Sequence, residues 1–237
     1  MSLPKIGYPI SSIKVPSTGK SIKIRPFTVK EEKVLLLASE DGNEQVIKEA
    51  VCDLLQNCIV TRGVKVDKLA SFDLEYIYLK IRSVSVGSTV EFIVTCKDDG
   101  VTTTNVTVNL EDVEVEIPKR HDKKIMLDDK VGCMMKYPGI DTFVNVSLLK
   151  KFDEDEVVEF IADSIDQIFT EDEVFDHSTT SKEEFNSFVE NMTREQFEKF
   201  SEFFETSPKL THTFKAENPK TGVVDEYTIE GLSNFFG

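Results

Sequence analysis

Between Asp153 and Glu205 the chain sets 18 acidic residues against three basic ones (Lys182, Arg194 and Lys199) and places nine of its 17 phenylalanines among them. Only a folded segment reconciles these two properties. An acidic tail that stays solvated lacks aromatics, because rings need a burial that a tail cannot supply. Helices that bury one face and turn the other to water satisfy both demands. The segment holds the whole net charge of −15, since the remaining residues carry 25 of each sign. A surface of this sign repels the phosphates of nucleic acid and of anionic lipid, so proteins are the expected partners, with neither nucleic acid nor membrane among them.

A chain of 237 residues, 40% hydrophobic, can fold as one domain or as two small ones. It has no window of 18 apolar residues and therefore no expected transmembrane helix. Met1-Ser2-Leu3-Pro4-Lys5 lacks the apolar core of a secretory signal, so the expected compartment is the cytosol. In that reducing compartment Cys52, Cys58, Cys96 and Cys133 are expected as packed thiols. Cys52 and Cys58 lie six apart on one expected helix, more than about 90° around its axis, and should not bridge.

The pattern predicts an α+β fold in which one order of elements occurs twice. In the first half, Ile13 to Val15 and Ser21 to Arg25 read as strands joined by a turn at Pro16 to Lys20. After Pro26, Thr28-Val29-Lys30-Glu31 is a capping box for a helix through Val34-Leu35-Leu36-Leu37-Ala38 that stops near Gly42. Asn43 caps a second helix, and a third begins at Ser71 with Leu74, Ile77, Tyr78 and Ile81. Val90 to Leu110 reads as a hairpin about Asp99-Gly100. The second half repeats the order. A hairpin spans Lys124 to Lys136, and a helix opens at Asp153-Glu154-Asp155-Glu156 and carries Val157, Phe160, Ile161 and Ile165. Capping boxes stand at Thr170, Ser181 and Thr193, and a closing hairpin runs from Thr211 to Ile229. These halves suggest two duplicated modules, residues 1–118 and 119–237, the second holding the acidic Phe-rich helices. Their terminal hairpins are placed either to stay separate or to pair into one shared sheet.

No constellation points to chemistry. Pro16-Ser17-Thr18-Gly19-Lys20-Ser21 resembles the end of a phosphate loop, but Lys14 stands where the first glycine is required and an extended run follows it. A hairpin turn is the better reading. His121, His177 and His212 are isolated, and no Cys-x-x-Cys occurs. Cys96 and Asp99 flank one hairpin turn, while the matching turn near Gly222 has no cysteine. No serine or cysteine has an addressable base, and carboxylates at helix starts suit the helix dipole. The expectation is a non-enzyme with no catalytic residue, cofactor or metal. In the last Phe-rich helix Phe197, Phe200 and Phe204 share a face, and Phe203 lies off that line. Most of these rings should be core, with a remainder left at a surface that a partner covers.

Three stretches carry a family resemblance. They are Pro16 to Lys20 with Arg25-Pro26-Phe27-Thr28-Val29-Lys30-Glu31-Glu32-Lys33, then Phe72 to Tyr76 with Lys80 to Gly87, and the C-terminal Ile229-Glu230-Gly231-Leu232-Ser233-Asn234-Phe235-Phe236. The chain resembles the baseplate hub assembly chaperones of contractile-tailed, T-even-like bacteriophages, a family that also includes proteins described as hub subunits. The resemblance implies a late phage protein in the cytoplasm of the infected bacterium that holds a baseplate hub protein until the tail assembles. Residence in the virion baseplate and a homo-oligomeric state are left open. Arg25 is expected either to pair with a carboxylate on the following helix or to touch the partner. Phe235 and Phe236 either plug the core or dock. Together with Phe197, Phe200, Phe203 and Phe204 they are the candidate partner-binding residues.

Overall fold

The computed structural model describes residues 7–148 and 157–235. A strand pair, β1 (Ser11–Lys14) and β2 (Ser21–Ile24), leads into the helices α1 (Val29–Asp41), α2 (Glu44–Cys58) and α3 (Ser71–Ser85). Strands β3 (Thr89–Thr95), β4 (Thr103–Asn109), β5 (Glu114–Glu116), β6 (Lys124–Met126) and β7 (Gly132–Met135) follow. A short α4 (Ile140–Thr142) runs into a π-helical stretch, Phe143–Leu148. Then come α5 (Val157–Asp163), β8 (Ile165–Phe169), β9 (Val174–Asp176), α6 (Lys182–Glu190), α7 (Arg194–Glu205), β10 (Lys209–Glu217) and β11 (Val224–Glu230). The mixture of helices with small antiparallel sheets is the expected α+β class.

The chain divides into two compact units, and the division differs from a single cut after residue 118. The larger unit takes residues 1–116, 139–150 and 209–237; the smaller takes 117–138 and 151–208. The C-terminal hairpin lies with the N-terminal elements because β10 pairs with β5, Lys209 opposite Glu116 and Thr211 opposite Glu114. Backbone pairing over that sequence separation leaves no local trace in the sequence.

In the larger unit α3 is the axis. Phe72, Leu74, Tyr76, Ile77, Leu79 and Ile81 are all buried, so the helix is covered nearly all round rather than along the one stripe expected. Two of its buried polar residues, Asp73 and Lys80, are hydrogen-bonded. Asp73 accepts from the Ser17 amide at 2.9 Å and the Ser17 hydroxyl at 2.6 Å, which ties the β1–β2 turn to the start of α3. Burial raises the Asp73 pKa, and the two Ser17 bonds oppose that rise. Lys80 donates to the carbonyls of Leu110 (2.9 Å), Glu111 (2.8 Å) and Val113 (3.0 Å) and so fixes the loop between β4 and β5.

The hairpins β3–β4 and β10–β11 belong to separate sheets, ordered β3-β4 and β11-β10-β5, so they do not form one shared sheet. They meet through rings, with Phe92 stacked at 6.5 Å on Phe214 and Phe214 at 5.8 Å on Tyr227. Their tips are bonded as well. The Asp98 carboxylate accepts from the Asn218 amide at 2.8 Å and the Thr221 hydroxyl at 2.6 Å, and the Lys97 amide donates to the Tyr227 hydroxyl at 3.1 Å.

The smaller unit is a four-stranded antiparallel sheet, β6-β7-β8-β9, sharing one core with α5, α6 and α7. Two expectations change here. Thr170 caps no helix: its amide donates to the Glu173 carbonyl at 2.8 Å and its hydroxyl accepts from the Glu173 amide at 3.1 Å, closing the β8–β9 hairpin. A threonine oxygen bonded to an amide three residues on closes a turn as readily as it opens a helix. Ile165 belongs to β8 rather than to the preceding helix, which ends at Asp163. The helix start expected at Asp153–Glu156 lies outside the described residues. Ser181 and Thr193 form the capping boxes expected of them.

Candidate interaction surface

The Phe-rich helices are core. Phe185, Phe200 and Phe203 are buried, and none of the nine rings of the acidic stretch is exposed. Phe197 and Phe204 pack half-buried against the same core, Phe204 lying 4.9 Å from Phe160 and 5.1 Å from Phe203. The expected surplus of rings at the surface is absent because the sheet β6–β9 supplies a second layer that takes them in. Phe235 is buried in the core of the larger unit, so it is a plug; Phe236 lies outside the described residues.

Arg25 makes the carboxylate pair that was one of its two expected roles. Its guanidinium donates to Glu31 through both terminal nitrogens, at 2.7 and 3.0 Å, and to the Pro26 carbonyl at 2.8 Å. The same carboxylate accepts from the Thr28 amide at 2.7 Å and closes the capping box of α1. The Arg25 hydrogen bond, foremost, holds Glu31 down at about 2. The Phe27 amide donates to the Ser85 hydroxyl at 3.0 Å, which fastens this corner to the end of α3. At the other end Gly42, with φ 74°, returns its amide to the Ala38 carbonyl at 3.3 Å and stops the helix.

The helix held so firmly buries little. Only Ala38 is buried, with Leu35 half-buried beside it. Val29 is 82% exposed, Val34 47%, Leu36 59% and Leu37 54%. Each residue advances the helix by about 100°, so the run Val34 to Ala38 cannot face one way. Val29, Lys33 and Glu40 run down the middle of the outer face, with Leu36 and Leu37 to either side. The exposed Val84 and Val86 lie on the end of α3 to which Phe27 is bonded. Other exposed aliphatics, such as Ile93 and Val101, belong to the β3–β4 hairpin. An anchored helix presenting four aliphatic side chains to water is the pattern of a surface that another protein covers.

Val34 to Ala38 were expected only to lie on this helix, with no face assigned to them, so the exposed face is an addition from the structure. The usable signal was there: five consecutive apolar residues exceed what one helical stripe can hold.

Removing the Arg25 guanidinium should loosen the corner. Arg25→Ala is expected to cost about 1–2 kcal/mol at neutral pH, the scale of hydrogen bonds to a charged group near the surface. Since the folded Glu31 pKa is depressed, the contribution of the pair is complete above the ordinary 4.5 and fades as pH falls towards about 2. Chemical denaturation of both proteins at pH 7 and pH 3 should show the gap narrowing; a gap that is constant or widens contradicts this role.

The chemical motifs resolve into turns. Gly19, with φ 66°, sits in the β1–β2 turn, where the Val15 amide donates to the Lys20 carbonyl at 2.9 Å. The Asp99 carboxylate is taken by the amides of Val101 (3.1 Å) and Thr102 (2.9 Å) and by the Thr102 hydroxyl (2.5 Å), bonds that hold its pKa well below the usual range. Among the described residues no group of three His, Cys, Asp or Glu side chains is placed to hold a metal ion. Among the same described residues no helix is long and apolar enough to cross a membrane.

Residues 8–237 match the model of a protein family described as T4 bacteriophage base plate protein. Neither the curated proteins nor the solved structures gave a match.

Proposed function

This chain belongs to the T4 bacteriophage base plate protein family, and on that premise we propose that it is a non-enzymatic tail-assembly chaperone that binds a baseplate hub protein. It shields an apolar or strand-edge surface of that client in the cytoplasm of the infected host until the hub assembles. The exposed aliphatic face of α1 carries this reading, because a helix capped at both ends and bonded to α3 gains nothing from four aliphatic side chains in water. The acidic helices of the smaller unit keep the pair soluble and disfavour wrong partners through like-charge repulsion. No nucleotide or metal is needed for such binding.

A permanent subunit of the virion baseplate is the second reading, and the family match favours it equally. Mass spectrometry of purified particles separates the two. Absence of the chain from virions, together with its co-purification with a hub protein from infected cells, is the expected result. Stoichiometric presence in virions overturns the chaperone reading and leaves the subunit.

A further inference from the structure

We infer that the free chain forms a two-fold dimer through α1, packed antiparallel against α1 of a second copy. The outer face of the helix is self-complementary about its centre. Leu36 and Leu37 stand at the mid-length of this face, one on each flank, 59% and 54% exposed. Lys33 lies three residues before Leu36, and Glu40 three residues after Leu37. Rotating a second copy by 180° about an axis between the two leucines sets Lys33 of each chain opposite Glu40 of the other and stacks the leucines at the centre. An isologous interface needs this symmetry of pattern, and a heterologous contact does not produce it.

The charges have no use within the helix itself. Lys33 has Lys30, Leu36, Val29 and Leu37 at three and four residues, and Glu40 has Leu37, Asn43, Leu36 and Glu44, so neither meets an opposite charge on its own face. Glu40 and Asp41 also crowd the C-terminal end of a helix that has no basic residue in its last turn, an arrangement the helix dipole disfavours. An antiparallel neighbour brings its own N-terminal end and Lys33 to that site and reverses the penalty. Thirteen residues span about 20 Å, so the pair forms a small interface, at the low end of specific ones, and a dissociation constant of about 1–100 µM is expected. Self-association would cover the aliphatic face while no client is present. It is a property of the free chain, separate from client capture.

Sedimentation velocity of the purified chain alone, over a concentration series, tests this. The wild type should move from the 26.8 kDa monomer to a species of twice that mass. Leu37→Asp should abolish the larger species while circular dichroism stays unchanged, since the position is exposed. Lys33→Glu and Glu40→Lys should each weaken association about tenfold, and the double variant, which restores opposite charges across the axis, should return to near the wild-type value. A wild type that stays monomeric at its highest soluble concentration overturns the inference. So does a dimer that ignores Leu37→Asp, or one that the double exchange fails to rescue. Because no baseplate protein is present, failure here leaves client binding untouched, and failure to capture a hub protein leaves the dimer untouched.

Discussion

Phe200→Ala is expected to destabilise the smaller unit by about 3–5 kcal/mol, the usual cost of deleting a fully buried phenylalanine. Phe200 is completely buried in α7, in a core that includes Ile125 of β6, Cys133 of β7, Ile168 of β8 and Phe185 of α6. Truncation removes the ring from contacts with helix and sheet together, and short antiparallel strands cannot move in far enough to refill the space. A unit of this size has only about 4–12 kcal/mol of total stability to lose. Hydrogen exchange should therefore show the amides of β7 and β8 losing most of their protection. Normal protection with a selective loss of partner binding would instead put the Phe-rich helix at an interface, against the packing described here.

Lys80→Met should cost the larger unit about 3 kcal/mol. Methionine keeps the length and apolar stem of lysine but donates nothing. The carbonyls of Leu110, Glu111 and Val113 then lose the ammonium they share, and the bonds to Leu110 and Val113 are buried. Leaving buried carbonyls unpaired costs about 1–3 kcal/mol each, partly offset because a charged group no longer has to be desolvated. Burial lowers the Lys80 pKa, as expected where an ammonium gives up water for carbonyl oxygens. The loop between β4 and β5 should loosen first and take with it the β5–β10 pairing that brings the C-terminal hairpin into this unit. Thermal melting should fall by about 6–12 °C. A shift within a degree or two would show that the three bonds contribute little and that the aliphatic stem alone matters.

Local signals in the sequence mapped closely onto local structure. Thr28, Asn43, Ser181 and Thr193 cap the helices expected of them. The β1–β2, β3–β4, β6–β7 and β10–β11 hairpins turn where Gly19, Gly100, the Asp128–Gly132 segment and Gly222 predict. A carboxylate on the following helix was one of the two roles the strand-to-helix corner offered Arg25, and the structure supplies it as Glu31, six residues on.

What stayed hidden depends on partners distant in the chain. The pairing of β5 with β10 rests on three residues of each strand with no turn between them, so the unit boundary could not be placed. Thr170 carries the same residue types as a helix cap, and only the strand β9 behind it decides for a turn. The rings of α7 looked too many for one small core because the sheet that receives them was only half recognised, β8 having been read as the end of a helix. The exposure of Leu36 and Leu37 was not legible, because composition marks a helix as apolar without saying which neighbours will cover it.

The most direct test of the account is co-expression of each baseplate hub protein of the same phage with three versions of this chain, followed by affinity purification and size exclusion. The versions are the wild type, Leu36→Ser/Leu37→Ser on the outer face of α1, and Glu195→Gln/Glu198→Gln on the acidic surface of α7. The wild type and the glutamine variant should retain the same hub protein, while the serine variant, folded by circular dichroism, should lose at least tenfold in recovery. A serine variant that captures the hub protein as well as the wild type does would contradict the assignment of α1 as the binding surface.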